Sequence, residues 1–383
     1  MSVTAAKGFR AAGVAAGLKV SGDPDVALVV NDGPEDVAAA VFTSNRVKAA
    51  PVVWSQQVVA DGRVRAVVLN SGGANACTGP DGFADTHATA EYVAKVLDVS
   101  AADVAVCSTG LIGERLPMDK LLPGIDAAAA ALAPSGGPDA AEAIRTTDTK
   151  AKQAVVHGDG WTVGGMAKGA GMLAPGLATM LCVITTDARV DATTLDAALR
   201  AATRVSFDRV DADGCMSTND TVIALASGSS GKTPTPAELT DALHAVCTDL
   251  AGQLLADAEG ATKEVEIEVV GAADEGDAVE VGRSIARNNL LKCALFGNDP
   301  NWGRVLSAIG TTAAAFEPDQ LAVSMNGVQI CRSGAAGDSR ELVDLSGRKI
   351  HIVVDLNAGT STATIWTNDL SHAYVEENSA YSS

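Results

Sequence analysis

The sequence predicts a mixed α/β protein whose sheets are packed by helices. Strand-like apolar runs alternate loosely with helical stretches. Several strands then follow one another late in the chain. Aromatic residues make up only 3% of the chain, so Ala, Val and Leu must build a core that relies on close approach of small side chains.

Residues 25–30 and 64–69 read as strands, 82–98 as a helix and 103–107 as another strand. Residues 118–133 form a helical stretch with an alanine-rich face, closed by Pro134-Ser-Gly-Gly-Pro138. Short strands are expected at 153–156 and 161–163, followed by a Gly-rich segment and an apolar strand, Met180-Leu-Cys-Val-Ile184. Residues 191–206 are amphipathic, with Asp191 as the helix N-cap. The stretch Gly228-Ser-Ser-Gly-Lys-Thr-Pro-Thr-Pro236 is the clearest loop signal, and a long helix spans 236–257. Strict alternation in Glu264-Val-Glu-Ile-Glu-Val-Val270 predicts a half-exposed strand. Residues 321–330, 349–356 and 361–366 supply further strands.

With 383 residues the chain is too long for one small core, and two or three subdomains are expected. Its net charge of −19 disfavours nucleic acid and anionic membranes as partners. No charged-then-apolar leader opens the sequence and no apolar run approaches the ~18 residues of a membrane span, so a cytoplasmic protein is expected. The seven cysteines are scattered without a CxxC pair, and the five histidines show no metal-binding spacing. Buried reduced thiols and no metal are therefore expected.

Chemistry concentrates in Gly164-Gly-Met-Ala-Lys168-Gly-Ala-Gly-Met-Leu-Ala-Pro-Gly-Leu-Ala178-Thr179-Met-Leu. Within it, Gly169-Ala-Gly-Met-Leu-Ala174 matches the GxGxxA dinucleotide fingerprint. That fingerprint must open a helix, and Pro175-Gly176 breaks the chain one residue later. Thr179 stands between a small residue and an apolar strand. A threonine hydroxyl there can attack the preceding carbonyl, give an ester that hydrolyses, and leave an N-terminal threonine. The freed α-amine, with an unperturbed pKa of about 7.7–8.0, then serves as base for the same residue's hydroxyl. The same pattern also suits an ordinary strand residue.

A second cluster, Cys107-Ser108-Thr109-Gly110-Leu-Ile-Gly113, follows a strand. A Thr-Gly turn can aim a hydroxyl and a backbone N–H at one oxyanion. Four more polar stretches are rich for simple loops: Asn70-Ser-Gly-Gly-Ala-Asn75, Thr146-Thr147-Asp148-Thr149, Ser217-Thr-Asn-Asp220 and Gly297-Asn-Asp-Pro-Asn-Trp-Gly-Arg304. Asp257 and Glu259 stand where a helix ends, against the helix dipole, which calls for a ligand or an ion pair. The C-terminus, from Ala373 on, reads as a polar tail.

Taken together, the segment from Lys168 to Thr179, with Asn70–Asn75, Ser108–Gly110, Asp299-Pro-Asn-Trp-Gly-Arg304 and Tyr374-Val-x-x-Asn378-Ser, resembles ornithine acetyltransferase. That family is the glutamate N-acetyltransferase of the cyclic arginine pathway, and the resemblance runs in order over essentially the whole chain. It implies a layered αββα fold of the self-processing aminopeptidase type. It implies self-cleavage between Ala178 and Thr179, giving an α chain (1–178) and a β chain (179–383) with a smaller α/β portion from about 235. The two chains are expected to stay together as an α2β2 assembly.

The same resemblance assigns Thr179 as nucleophile and Thr109 and Gly110 as the oxyanion pair. Thr147 (or Thr146), Lys168, Glu259, Asn378 and Ser383 match substrate contacts. The implied reaction moves an acetyl group from N-acetylornithine to glutamate through an acetyl-threonine, by ping-pong kinetics, with no cofactor and with acetyl-CoA as a second candidate donor. One departure is visible. The family often has Pro-Asn-Met before Ala-Thr, and this chain has Pro175-Gly176-Leu177. A self-processing aminopeptidase or amidase on the same fold is the alternative reading.

Overall fold

The computed structural model describes residues 2–174 and 180–380. Two sheets lie face to face at its centre. The first runs in the order β1 (Phe9–Val14), β2 (Val26–Asn31), β4 (Ala66–Asn70), β5 (Val104–Ser108). The second runs β3 (Val37–Phe42), β9 (Thr221–Ala226), β8 (Leu181–Thr186), β7 (Thr162–Lys168), β6 (Lys152–His157).

Strands β2, β4, β5, β8 and β9 are buried at every position, which is why the first four read as apolar runs; β9 is a further buried strand, not among those expected from the sequence. Successive side chains still alternate between layers. Ala27, Val29, Val67, Leu69 and Ala105 meet Met166, Leu181, Val183, Ile223 and Leu225 between the sheets. Val26, Leu28, Val68, Val104 and Val106 turn outward onto Ala90 and Val93 of α2 (Gly79–Leu97) and Leu121 and Ile125 of α3 (Met118–Ala130). Beyond the second sheet, Val163, Cys182, Ile184 and Val222 pack on Leu195 and Leu199 of α5 (Ala192–Arg204) and on Leu243, Val246 and Leu250 of α6 (Pro236–Ala256). The layers are therefore αββα.

Two more helices complete this body. α1 (Ala50–Val58) covers the free edge of β5, where Ser55 Oγ both accepts from Val106 N and donates to Val106 O. α4 (Gly137–Ala143) packs Ala140 and Ala141 into the layer between the sheets. The expected cap on α5 is present, with Asp191 Oδ1 accepting from Thr194 N at 2.9 Å. α6 starts with a full capping box between Thr235 and Glu238. By its packing α6 belongs to this first body, although it follows the 228–236 loop.

A third sheet begins at Glu264. Its order is β13 (Ala335–Ala336), β12 (Val328–Arg332), β11 (Ala322–Met325), β14 (Lys349–Asp355), β10 (Glu264–Ala272), β15 (Ser361–Asn368). Val265, Ile267 and Val269 face α7 (Glu275–Ala286), α8 (Asn289–Phe296) and α9 (Trp302–Ile309), and Glu266 stays exposed, as the alternation required.

Two expectations are corrected. The single strand over 321–330 is a hairpin, turned at Asn326-Gly327 with φ of 45° and 84°, the pair of positive values a type I′ turn needs. The C-terminal tail is helical from His372 to Ala380 (α10). Ser371 anchors that helix, its Oγ donating to Gly260 O at 2.5 Å and accepting from Tyr374 N at 3.0 Å.

Candidate active site

The Thr109 turn is fixed from three sides. Thr109 N donates to Asn70 O and Gly73 N donates to Thr109 O, both at 3.0 Å. Asn70 Nδ2 donates to Gly73 O, while Ser108 Oγ donates to Asn70 Oδ1 at 2.5 Å. Asn219 adds two bonds from across the cleft, Nδ2 to Ser108 O at 2.8 Å and to Ala74 O at 2.6 Å. Polar residues of both stretches thus serve this turn: Asn70 binds Gly73 and Ser108 within it, and Asn219 holds it from outside. Gly110 has φ of 132°, and a Cβ there would stand 2.7 Å from Gly73 N, so only glycine fits. Its N–H has no hydrogen-bond acceptor among the described residues.

Lys168 closes β7 and is 2% exposed. Its Nζ donates to Thr109 Oγ1 at 3.3 Å. Burial lowers the Lys168 pKa, and Asp148 pushes back most strongly against that. A hydroxyl accepting from an ammonium keeps its own proton to donate. Thr109 can therefore offer that proton, beside the Gly110 N–H, to a developing oxyanion.

Glu259 lies just past α6, its backbone N–H on Ala170 O at 3.0 Å and its Oε1 accepting from Thr147 Oγ1 at 2.7 Å. Thr109, Gly110, Thr146, Thr147, Lys168, Glu259 and Asn378 line one cleft of about 590 Å³, with Ser217, Thr218 and Asn219 on another wall. Asn378 reaches it from α10, held by a bond from Nδ2 to Tyr374 O at 3.0 Å. The fold thus gathers six of the expected site residues, and Thr146 with them, from five separate stretches of chain. Ala178, Thr179 and Ser383 lie outside the described residues.

The chain resumes at Met180, whose N–H donates to Asp220 Oδ1 at 3.0 Å and whose carbonyl accepts from Thr221 N at 3.1 Å. Asp220 is wholly buried, and burial pushes its carboxyl well above the usual carboxylate range, against the hydrogen bonds from Met180 N and Ser217. On the upstream side, Asp213 Oδ2 accepts from Leu173 N at 3.0 Å and Ala212 N donates to Leu173 O at 2.6 Å. The segment 211–220 therefore grips the chain on both sides of 175–179.

Asp148 stands in a polar stretch and Asp257 at the acidic helix end that the sequence marked, whereas nothing in the sequence marked Lys152. Lys152 Nζ lies 2.6 Å from Asp148 Oδ1 and 2.6 Å from Asp257 Oδ2, and all three are buried. The acidic end of α6 signalled the Asp257 ion pair, but not its partner. Residues 169–174 form no helix after β7, so the dinucleotide fingerprint lacks the helix it requires. Among the described residues no group of three or more His, Cys, Asp and Glu could hold a metal, and no helix is long and apolar enough to cross a membrane. Burial pushes the thiols of Cys107 and Cys247 up to about 12 and that of Cys182 up as well, so these sulfurs are packing groups.

The αββα layers and the polar cleft at the end of β5 and β7 define an enzyme. The chain belongs to the ArgJ family, whose model matches residues 10–383, and it is an acyltransferase of arginine biosynthesis. It is 70% identical over 383 residues to the arginine biosynthesis bifunctional protein ArgJ of Streptomyces avermitilis and equally to that of Streptomyces coelicolor, covering the whole of each chain. Among solved structures, ornithine acetyltransferase from Mycobacterium tuberculosis, complexed with ornithine, is 62% identical, with 47% of this chain and 96% of that chain covered and a TM-score of 0.45.

Proposed function

We propose that this protein transfers an acetyl group from N2-acetyl-L-ornithine to L-glutamate, after cutting its own chain between Ala178 and Thr179. The observation that carries the reading is the meeting of Lys168 with the Thr109–Gly110 turn in one buried cleft. Those are the parts acyl transfer requires, a place for an oxyanion and a cation for a substrate carboxylate. The chain enters β8 through Met180, one residue after Thr179, and β8 pairs Leu181 with Lys168.

In this mechanism the Thr179 hydroxyl attacks the acetyl carbonyl of N-acetylornithine while its own α-amine takes the proton. Thr109 Oγ1–H and Gly110 N–H hold the oxyanion. The tetrahedral centre collapses, the C–N bond breaks, and ornithine leaves with the proton as a neutral amine. Glutamate's neutral amine then attacks the acetyl-threonine ester and gives up one N–H proton to the Thr179 α-amine; the ester C–O bond breaks as that proton passes to the departing Thr179 oxygen. One acyl-enzyme serves both halves, which gives ping-pong kinetics. Lys168 takes a substrate carboxylate, and Thr147, Glu259, Asn378 and Ser383 complete the contacts.

The two halves stay together after the cut for a topological reason. Strand β7, before the cut, pairs with β8, after it, and β3 pairs with β9, so both fragments share one five-stranded sheet. We propose a cytoplasmic α2β2 assembly as the working form. No cofactor enters this scheme, and acetyl-CoA is a second donor to be assayed beside N-acetylornithine.

The test is Thr179→Ala. It should run as one uncut band on a denaturing gel and transfer no acetyl group. Complete processing or full activity in that variant refutes the reading, and peptide hydrolysis by wild-type protein without transfer to glutamate points to an aminopeptidase instead.

A further inference from the structure

Behind the cleft wall lies a buried set of charges that the mechanism above does not use. Lys152, in β6, is wholly buried between Asp148 and Asp257. Asp148 takes three donors: Lys152 Nζ and Gly169 N at 2.6 Å each and Thr146 N at 3.0 Å. Asp257 takes Lys152 Nζ, Thr149 N at 3.0 Å and the Thr149 hydroxyl. These bonds tie the turn carrying Thr146 and Thr147, the residue following Lys168, and the end of α6 preceding Glu259 into one unit.

We propose that Asp148 is a positioning residue for substrate binding: partnered by Lys152, it holds the Thr146–Thr147 turn and the backbone at Gly169, and so sets Lys168 at the cleft wall where it can bind a carboxylate. This rests on the proposed role of Lys168. The charged groups facing Lys168 are Asp148 from the 145–149 turn, Lys152 from β6, Asp220 ahead of β9, Glu259 after α6, and Lys19. Burial favours discharge of Lys168. Asp148 opposes it most strongly, Lys152 adds to it, and Asp220 and Glu259 oppose it more weakly. Burial works against the Asp148 carboxylate too, yet Lys168, Lys152 and the Gly169 N–H hold it down to about 2. The carboxylate of Asp148 is thus ionised throughout the working range, paired directly with Lys152 and within the field of Lys168.

The test is the pH dependence of KM for glutamate, measured on mature, cut enzyme from about pH 6 to about pH 9. Asp148→Asn should move the rise in KM to lower pH, with a slope of about tenfold per pH unit beyond the shifted pKa. Its kcat should stay within about threefold of wild type. Asp148→Asn/Lys152→Met removes one charge of each sign and should return the profile toward wild type. A structural frame predicts the reverse, with the double variant no better than the single. If Asp148→Asn does not fold, Lys152→Met is read alone and should move the rise to higher pH.

An unshifted Asp148→Asn profile, no recovery in the double variant, or a downward shift in Lys152→Met overturns the proposal. Lys168→Met separates the two layers of argument. If it leaves KM unchanged, the carboxylate role of Lys168 falls and this proposal with it. If it raises KM equally at all pH values while Asp148→Asn shifts nothing, only the coupling falls.

Discussion

Thr109→Val tests the oxyanion turn with little disturbance to the backbone. Thr109 is 4% exposed, and its N–H and C=O are held by Asn70 and Gly73 at 3.0 Å. Valine keeps the volume and β-branching, so those bonds survive. The change removes the hydroxyl alone. Two costs follow. Lys168 loses an acceptor at 3.3 Å, a long bond, so the stability loss belongs near the lower end of the ~1.5–3 kcal/mol typical of bonds to charged groups. Loss of one preorganised oxyanion donor lowers kcat by about 10²–10³, or ~2.7–4 kcal/mol, with the Gly110 N–H left to supply the residual rate. The assay is steady-state acetyl transfer from N-acetylornithine to glutamate, on protein shown by denaturing gel to be fully cut, with a thermal melt as control. A kcat within about threefold of wild type, or a loss carried wholly by KM, refutes the oxyanion role.

Other consequences are equally direct. Gly110→Ala places a Cβ 2.7 Å from Gly73 N at φ of 132° and should cost at least about 2 kcal/mol, read as a lowered Tm; an unchanged Tm contradicts the close approach. In native protein, iodoacetamide at about pH 8 should label Cys77, Cys215 and Cys293, which are exposed, and spare Cys107, Cys182, Cys247 and Cys331, which are buried, as counted by mass spectrometry. Asp211 gives a pH slope. Burial raises its carboxyl to about 6, and among the described residues its Oδ1 has no hydrogen-bond partner. Folded protein then holds this proton where the unfolded chain has released it, so the group's contribution to stability falls as pH rises from about 4 through about 6. Asp211→Asn should gain on wild type by ~2 kcal/mol between about pH 4.5 and about pH 7.5 in denaturant titrations. An equal difference at both pH values refutes that shift.

The sequence revealed the elements that bury a continuous or alternating apolar face. β2, β4, β5, β8 and β10 carry their own signal, because full burial or strict alternation is written into five to nine consecutive residues. β1 and β3 do not. Phe9-Arg-Ala-Ala-Gly-Val14 and Val37-Ala-Ala-Ala-Val-Phe42 are strands because neighbours exist to pair with them, β2 in one case and β9 in the other. Alanine-rich runs of that kind suit a helix as well, and tertiary pairing decides. α10 shows the same dependence. No residue of it is buried, and it is fixed through the Ser371–Gly260 contact.

The site divides along the same line. Residues that line the cleft were visible because their types are costly to place in plain loops: a lysine inside a glycine run, a Thr-Gly turn after a strand, acids at the wrong end of a helix. The charges that tune them were hidden because their partners are remote in sequence. Lys152 joins Asp257 across 105 positions, and Thr147 joins Glu259 across 112. Nothing local distinguishes Lys152 from a solvated strand lysine. Only closure of β6 against α6 buries it, and burial turns an ordinary ion pair into a constraint, since an uncompensated charge there is strongly destabilising. The acidic surplus of the chain has a local counterpart at this point. Two carboxylates and two ammonium groups, Asp148, Asp257, Lys152 and Lys168, balance each other, so a carboxylate ligand entering beside Lys168 adds a charge to a neutral group of four. The other carboxylates near Lys168, Asp220 and Glu259, oppose such a ligand to the extent that they are ionised. Burial of Asp220, which favours its protonated form, therefore makes room for an anionic substrate in a protein of net charge −19.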